Sequence, residues 1–424
     1  MDINRMDRLK PVSSGFFAAF KFDECEGCGV CLTHCPVMEL PLEKAKKGMQ
    51  NLIAGNPTQV LSDCQSCFTC NFYCEKGCNP TSLILQRWLE QYEREGLRNR
   101  GKYFMTLYPY YPNFRSYTLE RMTERERAIL EKWGDLKSLR GDTLTYPGCN
   151  IILTPTLVQS SLFKECDIRG RLEYCCGETL FRAGYIDELK QVAKRLDKWF
   201  NILKPKNLMV LCTAGTNVFR SVLPNFGLEY QFKSIISYVE WLWNRLESGE
   251  IRIKKKMDLR VTIQDSCYSK MFGDEYMDLP RKILKKIGCK IIELPYNREN
   301  MKCCGIGAGF SVNSAFHPLK MRKATVQNLN AVKKTKADVL CVYCSGCNQQ
   351  YHVAKKLYLR RFNIEIYHII ELLQLAIGEK PERMITQTAS KMFRGIMVKQ
   401  FTKFWSRKRF FLSPIPEDPS ENAY

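Results

Sequence analysis

The chain has 424 residues, of which 45% are hydrophobic and 26% are charged. This composition permits sizeable buried cores and excludes global disorder, and at about 150 residues per domain the length predicts roughly three domains. The formal charge of +21 favours anionic partners, such as an acidic protein, a lipid surface or a nucleic acid.

The 21 cysteines indicate metal binding. The best candidate for a membrane span, at 364–377, is shorter than the ~18–20 residues that cross a bilayer and contains Glu365 and Glu371. The first residues do not form a charged and then apolar leader, so we expect a cytoplasmic protein. Thiols stay reduced there, and a dense set of cysteines predicts metal sites rather than disulfides.

The N-terminal region, placed at 1–105, contains nine of the cysteines. Apolar periodicity predicts helices over 40–54 and 81–95, and Asn79-Pro80 suits the start of the second helix. The first four cysteines form the run Cys25-x2-Cys28-x2-Cys31-x3-Cys35-Pro36. This is the bacterial ferredoxin spacing, in which the fourth cysteine binds the other of two clusters.

A second run of cysteines repeats the spacing: Cys64, Cys67, Cys70 and Cys74. Crossed pairing then predicts two [4Fe–4S] clusters, one held by Cys25, Cys28, Cys31 and Cys74, the other by Cys64, Cys67, Cys70 and Cys35. Cys78, which comes shortly before Pro80, is an alternative to Cys74. The competing interpretation is two zinc sites, but zinc is bound by pairs of C-x2-C cysteines rather than by triplets. His34 is interpreted as a loop residue.

Residues 106–140 are predicted to be a connector, with an aromatic segment at 108–112 and a helix over 119–133. From residue 141 short β-type runs alternate with helical stretches, and we predict strands at 143–146, 208–211, 261–264, 291–294 and 339–342. Such alternation is typical of α/β layers with a largely parallel sheet.

Residues 141–380 also contain an internal duplication, because three cysteine-containing segments recur in the same order. The pairs of segments are 144–149 with 262–267, 174–177 with 302–305, and 210–215 with 339–344. We therefore predict two α/β lobes, at 141–250 and 251–380, followed by a tail at 381–424. The predicted fold class is an α+β multidomain protein: a small α-helical two-cluster ferredoxin domain followed by two duplicated, cysteine-rich α/β lobes.

Each lobe has a single cysteine and then an adjacent pair followed by glycine, and the second lobe also has a C-x2-C. Adjacent thiols are strained against pairing with each other but can bind metal ions at one site. The second lobe has Cys267, Cys303, Cys304, Cys341 and Cys344, with Cys347 as a further thiol. The first lobe has Cys149, Cys175, Cys176 and Cys212, with Gly215 in the place of the last thiol. Cys166 and Cys289 have no motif partner and are predicted to be buried small hydrophobes.

Over about residues 20–380 this arrangement resembles the CCG-domain iron–sulfur proteins. These include the D subunit of heterodisulfide reductase, the glycolate oxidase iron–sulfur subunit and the C subunit of anaerobic glycerol-3-phosphate dehydrogenase. The resemblance implies an electron-transfer or reductase subunit, often paired with a flavoprotein. In the heterodisulfide reductase branch it implies non-cubane [4Fe–4S] clusters where a disulfide is cleaved.

Carried over to this sequence, the resemblance implies a redox cluster site at Cys267, Cys303, Cys304, Cys341 and Cys344. Cys344 and Cys347 have the same spacing as Cys341 and Cys344 and could serve instead, but aligning Cys212 with Cys341 favours the earlier pair. Because Gly215 replaces a thiol, the first lobe could hold an incomplete cluster, zinc or nothing.

The leading hypothesis is an oxidoreductase subunit that relays electrons between a flavoprotein dehydrogenase or electron-transfer flavoprotein and a quinone or other acceptor. The alternative is disulfide reduction at the CCG cluster. A remote alternative is a nucleic-acid-binding protein, but the basic residues are dispersed, so no nucleic acid is expected. The glycines at 305–309 follow the CCG turn and do not open a dinucleotide site, so no flavin or nucleotide is expected on this chain.

The tail is predicted to form a basic amphipathic helix over 390–412. Its apolar residues are Phe393, Ile396, Met397, Phe401, Phe404 and Trp405. A helix of this type lies in a membrane interface and would make the protein peripheral on the cytoplasmic face. The alternative is a helix that packs on a lobe or on a partner subunit. The proline-rich end at 414–420 is expected to be loose.

Overall fold

The computed structural model describes residues 9–107, 113–309, 317–357 and 362–418. The aromatic segment at 108–112 lies outside these residues, as do the last two residues of the 414–420 segment. The description of the fold below is confined to the described residues.

The N-terminal region is built from short helices joined by cysteine-bearing loops. Its helices and single strand are α1 (Val30–Thr33), α2 (Leu42–Ile53), α3 (Gln59–Asp63), α4 (Thr69–Phe72), α5 (Pro80–Glu95) and β1 (Leu97–Arg98). Pro80 begins α5, as the sequence indicates, because its fixed φ suits the first helical position. Trp88 of α5 is fully buried and donates a hydrogen bond to the Leu61 carbonyl, which fixes α5 against the second cysteine run.

The connector contains two helices where the sequence predicted one over 119–133: α6 (Phe114–Glu120) and α7 (Glu124–Trp133). The break has a local cause at Thr123. Its hydroxyl accepts from the Glu126 amide while the Glu126 carboxylate accepts from the Thr123 amide. Such a capping box begins a new helix.

Two parallel sheets follow, each with helices between its strands. The first has the strand order β2-β3-β4; its region contains β2 (Thr143–Tyr146), α8 (Gly148–Ile152), α9 (Glu178–Ala183), α10 (Ile186–Leu203), β3 (Asn207–Val210), α11 (Thr213–Asn217), β4 (Ser234–Ser237) and α12 (Tyr238–Glu247). The second has the order β6-β5-β7-β8; its region contains β5 (Arg260–Gln264), α13 (Asp274–Lys286), β6 (Lys290–Ile291), α14 (Pro318–Thr335), β7 (Val339–Val342), α15 (Ser345–Leu357), β8 (Glu365–His368) and α16 (Ile369–Ala376).

The predicted mixed architecture with parallel sheets is confirmed. The predicted strands agree with β2, β3, β5 and β7 to within a residue at each end, whereas β6 is shorter than predicted and begins one residue earlier. The boundaries of the ferredoxin-type domain and of the two lobes stay predictions.

The tail does not form the single helix predicted for 390–412. It contains α17 (Ile385–Gly395), a wide helical turn over Ile396–Gln400, a tight turn over Phe401–Lys403, and β9 (Arg409–Phe410). Ala389 and Met392 of α17 are buried with Phe114 of α6 and Val353 of α15. Part of the apolar face therefore packs on the protein itself.

The end of the chain is held in place where the sequence predicted a loose segment. β9 pairs antiparallel with β1, with Leu97 opposite Phe410. Farther along, Ile415 is 3% exposed, its amide donates to the Gln191 side chain at 2.6 Å, and Arg195 donates to the Pro416 carbonyl. The prediction is therefore wrong for residues 414–418, because buried and hydrogen-bonded groups fix them on α10.

No helix in the described ranges is both long enough and apolar enough to span a bilayer.

Candidate metal centres

The first thiol group combines residues from both cysteine runs. Cys25 and Cys28 lie on the loop that leads into α1, Cys31 lies within α1, and Cys74 follows α4. Burial, together with charge on Cys74 and Cys28, raises the pKa of Cys25. These sulfurs line a cavity of about 210 Å³, together with Cys78.

Cys78 lies beside Cys74 in this first group. Its backbone amide donates a hydrogen bond to the Cys74 sulfur at 3.2 Å. Burial raises the pKa of Cys31, with further contributions from charge on Cys70, Cys74, Cys28 and Cys25. Cys25 is also hydrogen-bonded to Cys78, so Cys74 and Cys78 both lie within reach of this group.

The second thiol group is the crossed counterpart of the first. Burial raises the pKa of Cys35 to about 11, and the next largest effect is charge on Cys67. Charge on Cys67, Cys70 and Cys35 adds to the burial that raises the pKa of Cys64. The structure therefore brings together Cys35, Cys64, Cys67 and Cys70, the set that crossed pairing predicts.

Short polar side chains surround the sulfurs of the second group. The hydroxyls of Thr69 and Thr81 lie 3.2 Å from the Cys67 sulfur and 3.1 Å from the Cys70 sulfur. The Ser66 amide donates to the Cys64 sulfur at 3.4 Å. Hydrogen bonds to sulfur are among the factors that set the potential of iron–sulfur clusters.

The third thiol group lies at the carboxyl ends of β5 and β7, which are adjacent parallel strands. Cys267 follows β5, the adjacent pair lies on the loop before α14, and Cys344 and Cys347 lie at the start of α15. Hydrogen bonds link Cys303 to Cys267 and Cys304, and Cys347 to Cys304 and Cys344. The group consists of Cys267, Cys303, Cys304, Cys344 and Cys347.

Cys341, which the sequence alignment placed in this group, is not brought to it. Cys341 lies within β7, where side chains alternate between the two faces of the sheet. Leu340 and Val342 pack on the side that holds Cys303, Cys304 and Cys347, whereas Cys341 belongs to the core on the other side. Burial raises its pKa, and the largest further contribution is charge on Cys289, which belongs to none of the thiol groups.

The strand register aligns the two lobes differently from the sequence comparison. Tyr146 pairs with Val210 in the first sheet, and Gln264 pairs with Val342 in the second. Matching these pairs aligns Cys212 with Cys344, three residues from the match that the sequence suggested. Gly215 then corresponds to Cys347.

The fourth thiol group, in the first lobe, has four cysteines. A hydrogen bond with Cys175 raises the pKa of Cys149, and Cys175 is also hydrogen-bonded to Cys176. Burial and charge on Cys344 and Cys149 raise the pKa of Cys212. A Cβ atom at Gly215 would lie 3.8 Å from the Cys176 sulfur, so a side chain at this position would adjoin the fourth group.

The third and fourth groups lie next to each other. After burial, charge on Cys344 makes the largest contribution to the raised pKa of Cys212. The Thr213 hydroxyl donates to the Tyr343 carbonyl at 3.3 Å, and the Gln349 amide donates to the Asn150 carbonyl at 2.7 Å. The carboxyl ends of the two sheets therefore face each other.

Two buried cations lie between the second and third groups, and the sequence analysis did not identify either of them. Arg182 of α9 donates to the carbonyls of Gln65 and Ser66 and lies 3.9 Å from the Cys267 sulfur. Lys270 donates to the Thr69 hydroxyl at 2.6 Å. Neither residue belongs to a spacing pattern, so no sequence signal could have identified them.

The third group contains the two thiols whose pKa is lowered. Hydrogen bonds from Cys267 and Cys304, together with the charge of Arg182, hold the pKa of Cys303 well below its usual value. A hydrogen bond from Cys347 lowers the pKa of Cys344 to about 7. Thiolates are the form of cysteine that binds metal.

The remaining candidates have simpler environments. His34 stacks on Tyr73 with ring centroids 4.1 Å apart, in agreement with a loop role. Cys289 is buried and Cys166 is half-buried. Within the described ranges, no three His, Cys, Asp or Glu side chains are arranged to hold a single metal ion.

Comparison with known proteins finds a domain match in the second lobe and relatives along most of the chain. A family model for the CCG cysteine-rich domain matches residues 261–351, which include the whole third group. The chain is also 23% identical over 404 residues to the D subunit of the dihydromethanophenazine:CoB--CoM heterodisulfide reductase from Methanosarcina acetivorans, across 84% of this chain and 94% of that one. The chain fits the CCG-domain family of iron–sulfur oxidoreductases.

Two further relatives match smaller parts of the chain. The chain is 26% identical over 221 residues to the probable iron-sulfur-binding oxidoreductase FadF of Bacillus subtilis, across 50% of this chain and 30% of that one. It is 29% identical over 140 residues to the EtfAB:quinone oxidoreductase of Syntrophomonas wolfei, across 33% of this chain and 19% of that one. These findings support an oxidoreductase component with iron–sulfur clusters and a role in electron transfer.

The third group yields a prediction that separates Cys347 from Cys341. Cys347→Ser should lower the iron content of anaerobically purified protein and remove a spectroscopic signal, because a hydroxyl is a poor replacement for the soft thiolate. Cys341→Ser, three residues from Cys344 on the other side, should retain both. Loss of iron in the Cys341 variant alone would contradict the strand-register assignment.

The fourth group yields a gain-of-function prediction. Gly215→Cys should add a fifth thiol beside Cys176 and Cys212, since its backbone is not left-handed and the closest atom to the new Cβ is a methyl of Val210 at 3.2 Å. We expect more iron bound per chain than in the natural protein. Gly215→Ser is the control of similar volume, and an equal iron content in both variants would count against a cluster site there.

Proposed function

We propose that the protein is an iron–sulfur subunit that relays electrons between a flavoprotein and a quinone or other acceptor. The observation that carries the proposal is the arrangement of the thiol groups. The second group is joined to the third through Arg182, which hydrogen-bonds to Ser66 and contacts Cys267. Two thiol-rich sites so close together suit the passage of electrons from one to the other.

The two N-terminal groups have the donor set that cubane clusters require. Their pKa values are raised partly by the charge of neighbouring thiols, and bound iron would relieve that repulsion. We assign Cys25, Cys28, Cys31 and Cys74 to one [4Fe–4S] cluster and Cys35, Cys64, Cys67 and Cys70 to the other. Such clusters supply one-electron transfer when bound, and together they contain about eight iron atoms.

The third group is assigned to a further cluster, with Cys347 in the place of Cys341. Its ligands are Cys267, Cys303, Cys304, Cys344 and Cys347. The Gly307 amide donates to the Cys303 sulfur at 3.2 Å, so the glycine-rich turn supplies a hydrogen bond to this site. The natural fourth group lacks one thiol and is not assigned a complete cluster.

A flavoprotein donor and a quinone-related acceptor are the partners that the comparisons favour. The relative from Syntrophomonas wolfei is named EtfAB:quinone oxidoreductase, and its match covers a third of this chain. By analogy, a flavoprotein would deliver electrons to the N-terminal groups.

Disulfide reduction is the second candidate, and two observations favour it. A relative that matches 84% of this chain is named as a subunit of a heterodisulfide reductase. In addition, Cys212 and Cys344 bring the third and fourth groups together, so a disulfide could meet thiols from both lobes.

A single experiment compares the two functions. Reduced dye is supplied to the purified holoprotein together with either a quinone analogue or a small mixed disulfide. The relay predicts reduction of the quinone or of the partner protein without turnover of the disulfide, and Cys303→Ser should abolish it because the third group lies on the route. Rapid turnover of the disulfide by this chain alone would reverse the assignment.

We also propose that the tail contacts an anionic membrane surface. Met397, Val398, Phe401, Trp405 and Phe411 are all large apolar residues with at least 40% exposure. Arg407 and Lys408 lie among them and are exposed, and each basic residue near such a surface contributes about 1 kcal/mol of attraction.

Vesicle flotation tests this contact. Trp405→Ala should weaken binding to anionic vesicles roughly tenfold, because about 1–2 kcal/mol of apolar burial is lost. The matched control is Ile202→Ala, which removes a 59% exposed apolar side chain from α10. Equal flotation of the Trp405 variant and the natural protein would show that the tail is not the contact.

A further inference from the structure

Arg182 is a buried cation that touches two of the thiol-rich regions. It is 3% exposed, and its Nη2 donates to the Ser66 carbonyl at 2.9 Å and to the Gln65 carbonyl at 3.1 Å. The same nitrogen lies 3.9 Å from the Cys267 sulfur. One guanidinium group thus lies between the loop of the second group and the first cysteine of the third.

Lys270 is a second buried cation at the same junction. It is fully buried and follows Cys267 by three residues. Its Nζ donates to the Thr69 hydroxyl at 2.6 Å, and that hydroxyl lies 3.2 Å from the Cys67 sulfur. The ammonium group is therefore one hydroxyl away from a thiol of the second group.

The charge of Arg182 is partly balanced by one acidic residue. Glu178 Oε1 lies 3.4 Å from Arg182 Nη1 and also accepts a hydrogen bond from the Tyr268 hydroxyl. The aromatic rings of Phe68 and Tyr268 flank the guanidinium group at 5.8 and 5.4 Å. Lys270, by contrast, donates its hydrogen bond to the neutral Thr69 hydroxyl. The net charge of the side chains at this junction is therefore positive.

The surroundings of the first group are different. The ion pair between Lys76 and Glu26 borders its cavity, and both of these side chains are at least half exposed. Opposite charges in water largely cancel, and salt screens what remains. The protein thus places buried positive charge at the second and third groups and a neutralised, solvated pair at the first.

We propose that Arg182 and Lys270 are positioning residues for electron transfer, making the second and third groups better electron acceptors than the first. This inference rests on the proposed function, because it requires redox centres at these groups. Adding an electron increases the negative charge of a centre, and a cation held nearby in a low-dielectric interior stabilises that state. With clusters bound at these groups, one electron would pass from the first to the second, and no bond or proton would be exchanged.

The test is a redox titration of the full-length holoprotein followed by electron paramagnetic resonance. Arg182→Gln and Lys270→Gln each remove a charge and should narrow the gap in potential between the first and second centres. We expect a change of about tenfold in the equilibrium constant between them, which is about 59 mV for one electron. Arg182→Lys keeps the charge and should restore most of the gap.

Arg87→Gln is the matched control, because Arg87 also donates to two loop carbonyls, those of Leu52 and Ile53. The inference would be overturned if the difference in potential between the first and second centres were the same in the natural protein and in the Arg182, Lys270 and Arg87 variants. Iron content separates this failure from failure of the proposed function. Natural protein that binds no iron would refute the clusters themselves, whereas fully loaded variants with unchanged potentials would refute only the role of the cations.

Discussion

Thiolates that lie close together repel one another, and burial makes each of them harder to ionise. In this protein many thiols are both buried and close to one another. The pKa values of Cys25, Cys64 and Cys212 are all raised by burial and by neighbouring thiols. Positive charge is therefore the requirement on which the sites depend. Bound iron would supply it within each group, and Arg182 supplies it between the second group and Cys267.

The parallel sheets determine where the lobe thiols can gather. Side chains that follow adjacent parallel strands meet at one edge of the sheet, which is where open α/β sheets bind ligands. Cys267 and Cys344 follow β5 and β7, and Cys149 and Cys212 follow β2 and β3. Because these two edges face each other, the thiols of both lobes meet in one buried region.

Much of this arrangement could be predicted from the sequence, because regular spacing reflects local structure. The crossed grouping of the N-terminal cysteines and the adjacent pair at Cys303 and Cys304 are signals of this kind. Cys341 shows the limit of such reasoning, since Cys341, Cys344 and Cys347 are equally spaced and motif matching cannot separate the two pairs. The choice depends on which face of β7 each residue occupies, and the end of a strand is difficult to locate to within three residues.

The contacts that sequence reasoning missed join residues far apart in the chain. Arg182 meets Ser66 across 116 positions, and β9 meets β1 across more than 300. No local pattern encodes such contacts, because each partner alone resembles an ordinary surface residue or a short β-type run.

The chain ends show what these long-range contacts accomplish. The Val12 amide donates to the Met271 carbonyl, which attaches the N-terminal segment next to Lys270 in the second lobe. At the other end, the Leu412 amide donates to the Tyr92 hydroxyl, and the Ile415 amide donates to Gln191 of α10. The N-terminal helices are therefore tied to both lobes by segments outside the cysteine motifs. Electron transfer between fixed centres requires constant separations, and a cation such as Arg182 can bias two centres only if both stay beside it. The hydrogen bonds of the two terminal segments therefore help to keep the thiol groups and the buried cations at fixed distances from one another.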